Sequence, residues 1–368
     1  MLGKRPEQRI GRVGAMAMAV VLAGCSTAAT STTTTTTTTT STSGAPEPVE
    51  IVLMTHDSFA VSDEVLETFE DETGIEVRIL RSGDAGQMVN QAVLTKDNPL
   101  ADVIFGVDNT FLSRALEAGV FEPYQSPLLA VVPDDLEFDP RVTPIDFGDV
   151  CINWDKAYLA NGAPPPPESL LDLTDPSYRG LLVVENPATS SPGLAFLFST
   201  IATFGESGDY VWQNYWEDLR ENDVLVTSGW EEAYYSYFTA ASDGDRPLVV
   251  SYASSPPFEV IFAEEPIDEP PTAVMTEGCF RQIEFAGIVA GTEARPAAEQ
   301  VIDFLLSKQF QDDIPLNMFV FPASTDATLP PAFVEHAVVP EDPLSLPAGE
   351  IEANRQRWIE EWTEVMAG

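Results

Sequence analysis

Aromatic rings and carboxylates recur in this chain at positions that directly follow predicted strands. Trp230, Tyr252 and Phe319 supply ring faces, and Asp57 and Asp84 supply carboxylates. Ring faces beside carboxylates suit a flat organic cation, because the ring quadrupole and the negative charge both attract it. Taken singly, each residue also has a purely structural explanation, such as a helix cap or a packed helix face. The set predicts a binding pocket once the fold brings these segments together.

Hydroxyl side chains form a second group of candidates. Ser190 and Ser191 precede a predicted helix, and Ser254 and Ser255 follow a predicted strand. Hydroxyls and backbone N–H groups at helix starts bind phosphate or hydroxyl groups, so these serines suit the polar end of a ligand. Two histidines, at 56 and 336, have no Cys or His partner at ligand spacing, so the sequence predicts no zinc site.

The amino terminus has the pattern of an exported lipoprotein. A basic stretch precedes an apolar run over residues 15–22, and Leu22-Ala23-Gly24-Cys25 follows. The apolar run is too short to span a bilayer, so we interpret 1–24 as a signal peptide and Cys25 as the lipid-bearing residue. Residues 25–47 are rich in Ser and Thr and predict a flexible linker. We therefore expect a protein anchored at the outer face of the cytoplasmic membrane.

The composition excludes some partners. The 368 residues carry 18 Lys and Arg against 59 Asp and Glu, a formal net charge of −41. Such a surface repels nucleic acid and anionic lipid and attracts cationic solutes, although a general adaptation to salt explains it equally well. Apart from Cys25, the cysteines are Cys151 and Cys279, an even pair in an oxidising compartment. Both a disulfide and two free thiols remain open from the sequence.

From residue 48 the chain alternates predicted strands and helices, which is typical of a mainly parallel α/β sheet. Strands are predicted at 49–54, 75–80, 101–105, 181–185, 223–227 and 247–252. Helices are predicted at 62–73, 85–95, 109–118, 167–172, 192–203, 209–221, 229–241, 295–308 and 349–366. Two long extended segments, 142–153 and 279–290, look like crossovers between two α/β lobes. The prediction is a two-lobed, type II periplasmic-binding-protein-like fold, with lobe 1 at 48–146 and 285–368 and lobe 2 at 147–284. Ligands bind at the carboxyl ends of strands in such folds, so a cleft between lobes is expected.

Beyond this architecture, the chain resembles the thiamine-binding proteins of bacterial thiamine ABC transporters, from about residue 50 to the carboxyl terminus. Seven segments in order carry the resemblance: 55–60, 101–109, 189–194, 226–234, 250–256, 314–315 with 321–322, and 355–362. It implies a thiamine-contacting turn at Asp84 and Ala85, a serine pair at Ser190 and Ser191, a stacking Trp230, and a ligand loop formed by Tyr252, Ala253, Ser254 and Ser255. The chain departs from the family at His56 and Phe319, where Tyr and Trp are usual. Selection among thiamine, its monophosphate and its diphosphate stays open.

The resemblance implies a solute-binding protein rather than an enzyme. It would act as a monomer without cofactor or metal, and deliver thiamine or its phosphates to an ABC permease. Three alternatives remain. Adjacent Tyr234 and Tyr235 suit a ferric-ion binder of the same fold. The acidic surface would also suit a polyamine or another organic cation. A thiaminase-like enzyme would need Cys151 as a free nucleophile.

Overall fold

The computed structural model describes residues 49–160, 164–263 and 265–368. The predicted signal peptide, the predicted lipidation site Cys25 and the predicted linker lie outside the described residues. Pro48–Gly368 forms one compact unit, in which a large mixed sheet is flanked by helices. The predicted α/β fold class is thereby confirmed, whereas the lobe boundaries stay a prediction.

The described strands belong to one ten-stranded sheet. They are β1 (Val49–Thr55), β2 (Ile75–Arg81), β3 (Val103–Asp108), β4 (Phe121–Glu122), β5 (Thr143–Asp155), β6 (Leu182–Glu185), β7 (Leu225–Thr227), β8 (Leu248–Tyr252), β9 (Thr272–Val289) and β10 (Phe321–Pro322). The predicted strands at 49–54, 75–80, 101–105, 181–185, 223–227 and 247–252 each correspond to one of these.

The α-helices are α1 (Asp63–Thr73), α2 (Ala85–Leu94), α3 (Leu112–Ala118), α4 (Lys156–Ala160), α5 (Ser191–Phe204), α6 (Trp212–Glu221), α7 (Trp230–Glu232), α8 (Pro256–Ile261), α9 (Arg295–Leu306), α10 (Lys308–Asn317), α11 (Pro331–His336) and α12 (Ala348–Ala367). Short 3₁₀ segments occupy Pro127–Val131, Asp134–Leu136, Leu170–Thr174 and Pro176–Tyr178, and a π-helical turn covers Ala233–Tyr237.

The sheet contains two parallel groups joined by two long antiparallel strands. Its order is β2-β1-β3-β9-β5-β8-β6-β7, with β10 on β5 and β4 on β9. β1 pairs in parallel with β2 and β3, and β6 pairs in parallel with β7 and β8. β5 and β9 pair antiparallel along most of their length, in the places predicted for the crossovers. The carboxyl ends of both parallel groups are therefore available to one cleft.

Local sequence explains the first βαβ unit. Ser62 takes the N-cap position of α1, and Gly74 ends the helix in the left-handed conformation with φ 70°. Along β2, Ile75 and Val77 are buried while Glu76 and Arg78 are exposed. This alternation seals one face of the strand against the core and leaves the other to solvent.

Some helix predictions are wrong in type or extent. The helix predicted at 167–172 is a 3₁₀ segment at Leu170–Thr174. The helix predicted at 229–241 ends at Tyr237, because Phe238 is buried and pairs with Arg246 as an isolated bridge instead of continuing the helix. The predicted 295–308 helix ends at Leu306, and Ser307 then caps a separate helix, α10, that the sequence pattern did not predict. Pro315 inside α10 explains the missing signal, since proline is unfavourable within helices.

Candidate functional site

The segments that follow β1, β2, β6 and β7 meet the carboxyl end of β8 around a cavity of about 220 Å³. Its described lining is His56, Asp57, Ser58, Asp84, Ala85, Gln87, Ser191, Pro192, Ser228, Gly229, Trp230, Glu231, Glu232, Tyr252, Glu284, Met318 and Val320. Both parallel groups of the sheet contribute. The convergence that the strand pattern predicts therefore occurs.

Most of the predicted site residues line this cavity or the one beside it. His56, Asp57, Asp84, Ala85, Ser191, Trp230 and Tyr252 line the main cavity. Ser255 and Phe319 line an adjoining space of about 60 Å³ that shares Trp230 and Tyr252. Ser190, Ala253 and Ser254 are buried and are not among the described residues that line either space.

Asp84 connects segments from the two parallel groups. Its Oδ1 accepts hydrogen bonds from the backbone N–H of Ala85 at 2.7 Å and of Ser191 at 3.3 Å, and its Oδ2 accepts one from Trp230 N–H at 3.0 Å. These donors begin α2, α5 and α7, so the carboxylate lies where the helix ends are positive. Burial raises the pKa of Asp84, although hydrogen bonds from the Trp230 N–H and the Ala85 N–H oppose the rise.

Close backbone approach makes this arrangement possible. A Cβ at Gly229 would lie 2.8 Å from Asp84 Oδ2, so any larger residue would push the carboxylate away. A Cβ at Gly86 would lie 2.7 Å from the carbonyl carbon of Thr189. Two glycines thus permit the turn after β2 to meet the loop before α5 and the start of α7.

Trp230 is fixed at both its backbone and its ring. The indole Nε1 donates a hydrogen bond to Ser251 Oγ at 2.9 Å, and that hydroxyl lies 3.0 Å from Ser255 Oγ. The Tyr234 ring stacks on the indole with centroids 4.9 Å apart and planes inclined by 25°. The Tyr252 ring is inclined by 61° at 6.5 Å. The indole is therefore a positioned ring in the cavity wall.

His56 belongs to a polar chain that the sequence did not reveal. His56 Nε2 lies 3.3 Å from Glu284 Oε2, Gln282 Nε2 donates to Glu284 Oε1 at 3.2 Å, and Tyr252 Oη donates to Gln282 Oε1 at 3.2 Å. Burial lowers the pKa of His56, but Glu284, Asp84 and Asp57 together outweigh this effect and the pKa is raised. Gly106 leaves room for the imidazole, since a Cβ there would lie 2.2 Å from His56 Cδ2.

Several lining residues escaped the sequence reasoning. Glu232 lies two positions after Trp230, and its proximity to that residue was the available signal. Glu284 lies on β9 between the buried apolar residues Ile283 and Phe285. A single acid inside an apolar strand is costly unless paired, so its position was itself a usable signal.

The sequence predicted Phe319 as a third stacking face of the main cavity. In the structure its ring lies in a different environment. Phe319 has φ 57°, a left-handed value that is uncommon for an aromatic residue, directly after α10. Its ring packs edge-on against Phe258 at 4.9 Å and against Phe262 at 5.9 Å. The residue closes the adjoining space rather than the main one.

The tyrosines that suggested a ferric site are otherwise engaged. Tyr234 is buried and its hydroxyl donates to Glu259 Oε1 at 2.9 Å, while the Tyr235 ring packs edge-on against Trp230. Over the described ranges, no group of three or more His, Cys, Asp or Glu side chains is placed to hold a metal ion.

Cys151 on β5 and Cys279 on β9 form a disulfide with Cα atoms 4.4 Å apart. It joins the two long strands where their register shifts, between Val150 and Ile152. Ala253 packs with the two cysteines in one buried cluster, which explains why this residue lies behind the cavity wall. Cys151 is therefore not a free thiol in this structure.

Among the described residues, no helix is both long and apolar enough to cross a membrane. The predicted attachment through Cys25 concerns residues outside this part of the chain.

Comparison with known proteins places the chain among exported binding proteins. Residues 98–341 match the family model described as bacterial extracellular solute-binding protein. The thiamine-binding periplasmic protein of Escherichia coli (strain K12) is 31% identical over 86% of this chain and 93% of its own length. The protein of the same name from Brucella abortus is 31% identical over 85% of this chain and 91% of its own length.

Solved structures agree. A periplasmic thiamin binding protein superposes with a TM-score of 0.77 at 27% identity, covering 88% of this chain and 98% of the other. Iron-bound HitA from Pseudomonas aeruginosa superposes with a TM-score of 0.68 at 20% identity, over 86% and 99% of the two chains. The second match shows the fold alone.

Proposed function

This chain belongs to the bacterial extracellular solute-binding proteins, and we propose that the solute it captures is thiamine. The observation that carries the proposal is the cavity itself, in which the positioned Trp230 indole and the Tyr252 ring lie beside carboxylates. Thiamine joins a flat aminopyrimidine to a cationic thiazolium ring. Aromatic faces and negative charge in one wall match both parts of that molecule.

The residues of the cavity wall have different roles in binding. Trp230 and Tyr252 offer faces to the rings, while Asp84 and Asp57 supply negative potential near the cationic ring. Ser191 and Ser255 offer hydroxyls to the polar end, and the neighbouring Ser190 and Ser254 are buried. Ala85 contributes the backbone beside Asp84, Ala253 supports the loop from behind, and Phe319 bounds the adjoining space.

Capture is coupled to closure in this proposal. Lobes at 48–146 with 285–368 and at 147–284 would rotate about β5 and β9, and ligand between them would favour the closed state. Asp84 supports this view, because it hydrogen-bonds to Ser191 and Trp230 from the other parallel group.

Delivery would follow capture. The closed, monomeric protein would dock on an ABC permease while tethered to the membrane through lipid on Cys25. No cofactor or bond-making step is required. The disulfide supports a non-enzymatic role, since a cysteine nucleophile needs a free thiol.

The alternatives fit the site less well. A ferric ion prefers clustered oxygen ligands, and the Tyr234 hydroxyl is already bonded to Glu259. A polyamine would satisfy the carboxylates but would leave the stacked aromatic wall without a flat partner.

Calorimetric titration of the purified protein with thiamine tests the proposal, with tryptophan fluorescence as a second readout. We expect saturable binding of one thiamine per chain and a change in indole emission. Parallel titrations with ferric citrate and with spermidine test the ferric-ion and polyamine alternatives. Absence of both heat and fluorescence change with thiamine would overturn the assignment, and saturation by iron or spermidine alone would replace it.

A further inference from the structure

Three buried acids lie at the same level of adjacent strands and form an acidic row. Asp108 on β3 and Asp146 on β5 are the register partners of Glu284 on β9, so the three side chains leave the same face of the sheet. Each residue is 9% exposed or less. Both Asp146 oxygens and Asp108 Oδ2 lack a hydrogen-bond partner in the part of the chain that the structure describes. Glu284 lines the cavity, so the acidic row reaches the cavity wall.

One histidine supplies the positive charge that lines the cavity. His56 is the sole basic side chain among the described lining residues, and its Nε2 lies 3.3 Å from Glu284 Oε2. Over the described ranges, no Lys or Arg forms an ion pair with a member of the acidic row. Arg281 on β9 pairs with Asp149 at 2.6 Å, and Arg355 on α12 lies over an aromatic ring at 5.6 Å. The imidazole is therefore the group placed to balance the carboxylates of the wall.

The other titratable groups that face the cavity with His56 are acids and a phenol. They are Asp57 in the same loop, Asp84 after β2, Glu231 and Glu232 on α7, Tyr252 on β8 and Glu284 on β9. From β3, the Phe105 ring faces the imidazole with centroids 5.6 Å apart. Burial lowers the pKa of His56, but the charges of Glu284, Asp84 and Asp57 outweigh this effect and the pKa is raised. In the free protein, the wall thus favours a charged imidazole.

A bound organic cation would compete with that imidazolium. The two positive charges would share the carboxylates of one cavity and would repel each other at short range. An imidazolium can lose its charge near neutral pH by giving up a proton, whereas the charge of the thiazolium ring is permanent. Loss of the imidazolium proton therefore relieves the repulsion and leaves the carboxylates to the ligand.

We propose that His56 is a proton-exchanging counter-ion, which balances the carboxylates of the free cavity and releases its proton to solvent when thiamine is captured. One N–H bond breaks, the proton passes to water or buffer, and a neutral imidazole remains beside Glu284. The inference rests on the proposed function and adds a pH dependence to it. Because binding releases a proton, affinity rises with pH through the range in which His56 of the free protein titrates.

Proton NMR of the imidazoles tests the proposal on the unmodified protein. The chain has two histidines, His56 and His336, so the variant His336→Gln identifies the His56 signal. We expect the titration midpoint of His56 to move to lower pH when thiamine saturates the protein, and that of His336 to stay in place. An unchanged or higher His56 midpoint in the thiamine-bound protein would overturn the proposal.

Calorimetry counts the released proton. Thiamine is titrated in PIPES, HEPES and ACES at the pH of the free His56 midpoint, and the dependence of the heat on the buffer gives the number of protons. We expect about 0.3–0.5 proton per thiamine, since half of the free His56 side chains are charged at that pH. His56→Gln should lose more than half of this release. His336→Gln, the matched control on α11 outside the described cavity lining, should retain it.

The outcomes separate this inference from the proposed function. Thiamine binding without proton release would overturn the inference and leave thiamine capture standing. Release that persists in His56→Gln would also overturn it and would assign the proton to the acidic row. If thiamine itself fails to bind, the proposed function fails and the inference fails with it.

Discussion

The Asp84 carboxylate accepts a hydrogen bond from the backbone N–H of Trp230, with Oδ2 and N 3.0 Å apart and 146 positions between them in the chain. One partner follows β2 and the other follows β7, so the bond joins the two parallel groups of the sheet directly at the cavity. It positions the indole by its backbone while Ser251 positions it by its ring. Ring placement and contact between the groups therefore depend on the same carboxylate.

Replacing Asp84 should weaken both stability and thiamine binding. In Asp84→Asn, an amide NH₂ group replaces one of the two carboxylate oxygens. One backbone N–H then loses its acceptor and faces another donor. We expect a loss of about 1–3 kcal/mol in the free energy of unfolding and a rise of about tenfold in Kd. Urea unfolding and calorimetry measure the two effects. Asp57→Asn is the matched control for the unfolding measurement, since Asp57 accepts a single backbone N–H, from Gly83. Equal losses of stability in the two variants would contradict the bridging role of Asp84.

Removing the Trp230 ring should cost affinity more than stability. Trp230 is partly exposed in the wall, and Trp230→Ala removes a stacking face worth about 1–2 kcal/mol or more, a tenfold or larger rise in Kd. Trp230→Phe should retain part of the affinity, because a ring face remains. Phe138→Ala, at a side chain 44% exposed outside the cavity, controls for the loss of an aromatic surface. Wild-type affinity in Trp230→Ala would remove this residue from the binding site.

The sequence predicted the parts of the site that follow from strand order. Side chains after β1 and β2 and at the end of β8 could be placed together because parallel strands present their carboxyl ends at one edge. His56, Asp84 and Tyr252 were found in this way.

The rest depended on contacts distant in the chain. Glu284 enters the wall from the middle of a long buried strand, where periodicity marks only a core position. The helix after Trp230 ends early because Phe238 pairs with Arg246 across a loop. Phe319 lines the adjoining space because its backbone is left-handed. In a sequence, only glycine or asparagine would indicate such a backbone conformation.

Reduction of the disulfide should destabilise the protein without removing its site. Cys151 and Cys279 are separated by 128 positions, so the bond closes a long loop in the unfolded chain. We expect reductant to lower the free energy of unfolding by roughly 2–5 kcal/mol. Neither cysteine is among the described cavity-lining residues, so the folded, reduced protein should bind thiamine with unchanged Kd. The double variant Cys151→Ala with Cys279→Ala should be equally destabilised and insensitive to reductant. If reductant also lowers the free energy of unfolding of the double variant, the destabilisation does not come from reduction of this disulfide.

The free energy of unfolding should fall as the pH rises through the range in which Asp108, at the end of β3, loses its proton. Burial raises the pKa of Asp108 to about 7, even though hydrogen bonds from the Thr110 hydroxyl and the Phe111 N–H oppose the rise. A carboxyl with a raised pKa binds a proton more tightly in the folded state. Its stabilising contribution is therefore complete below the unfolded pKa of about 4 and is lost by about pH 7, an effect of up to about 4 kcal/mol.

Burial also raises the pKa of Asp146 and Glu185, which act in the same direction. Urea unfolding between pH 4 and 8 measures the slope. Asp108→Asn keeps an oxygen to accept from Thr110 and Phe111 and cannot ionise, so its stability should depend less on pH and exceed that of wild type near pH 8. Parallel pH profiles for the two proteins would instead show that Asp108 keeps an ordinary pKa.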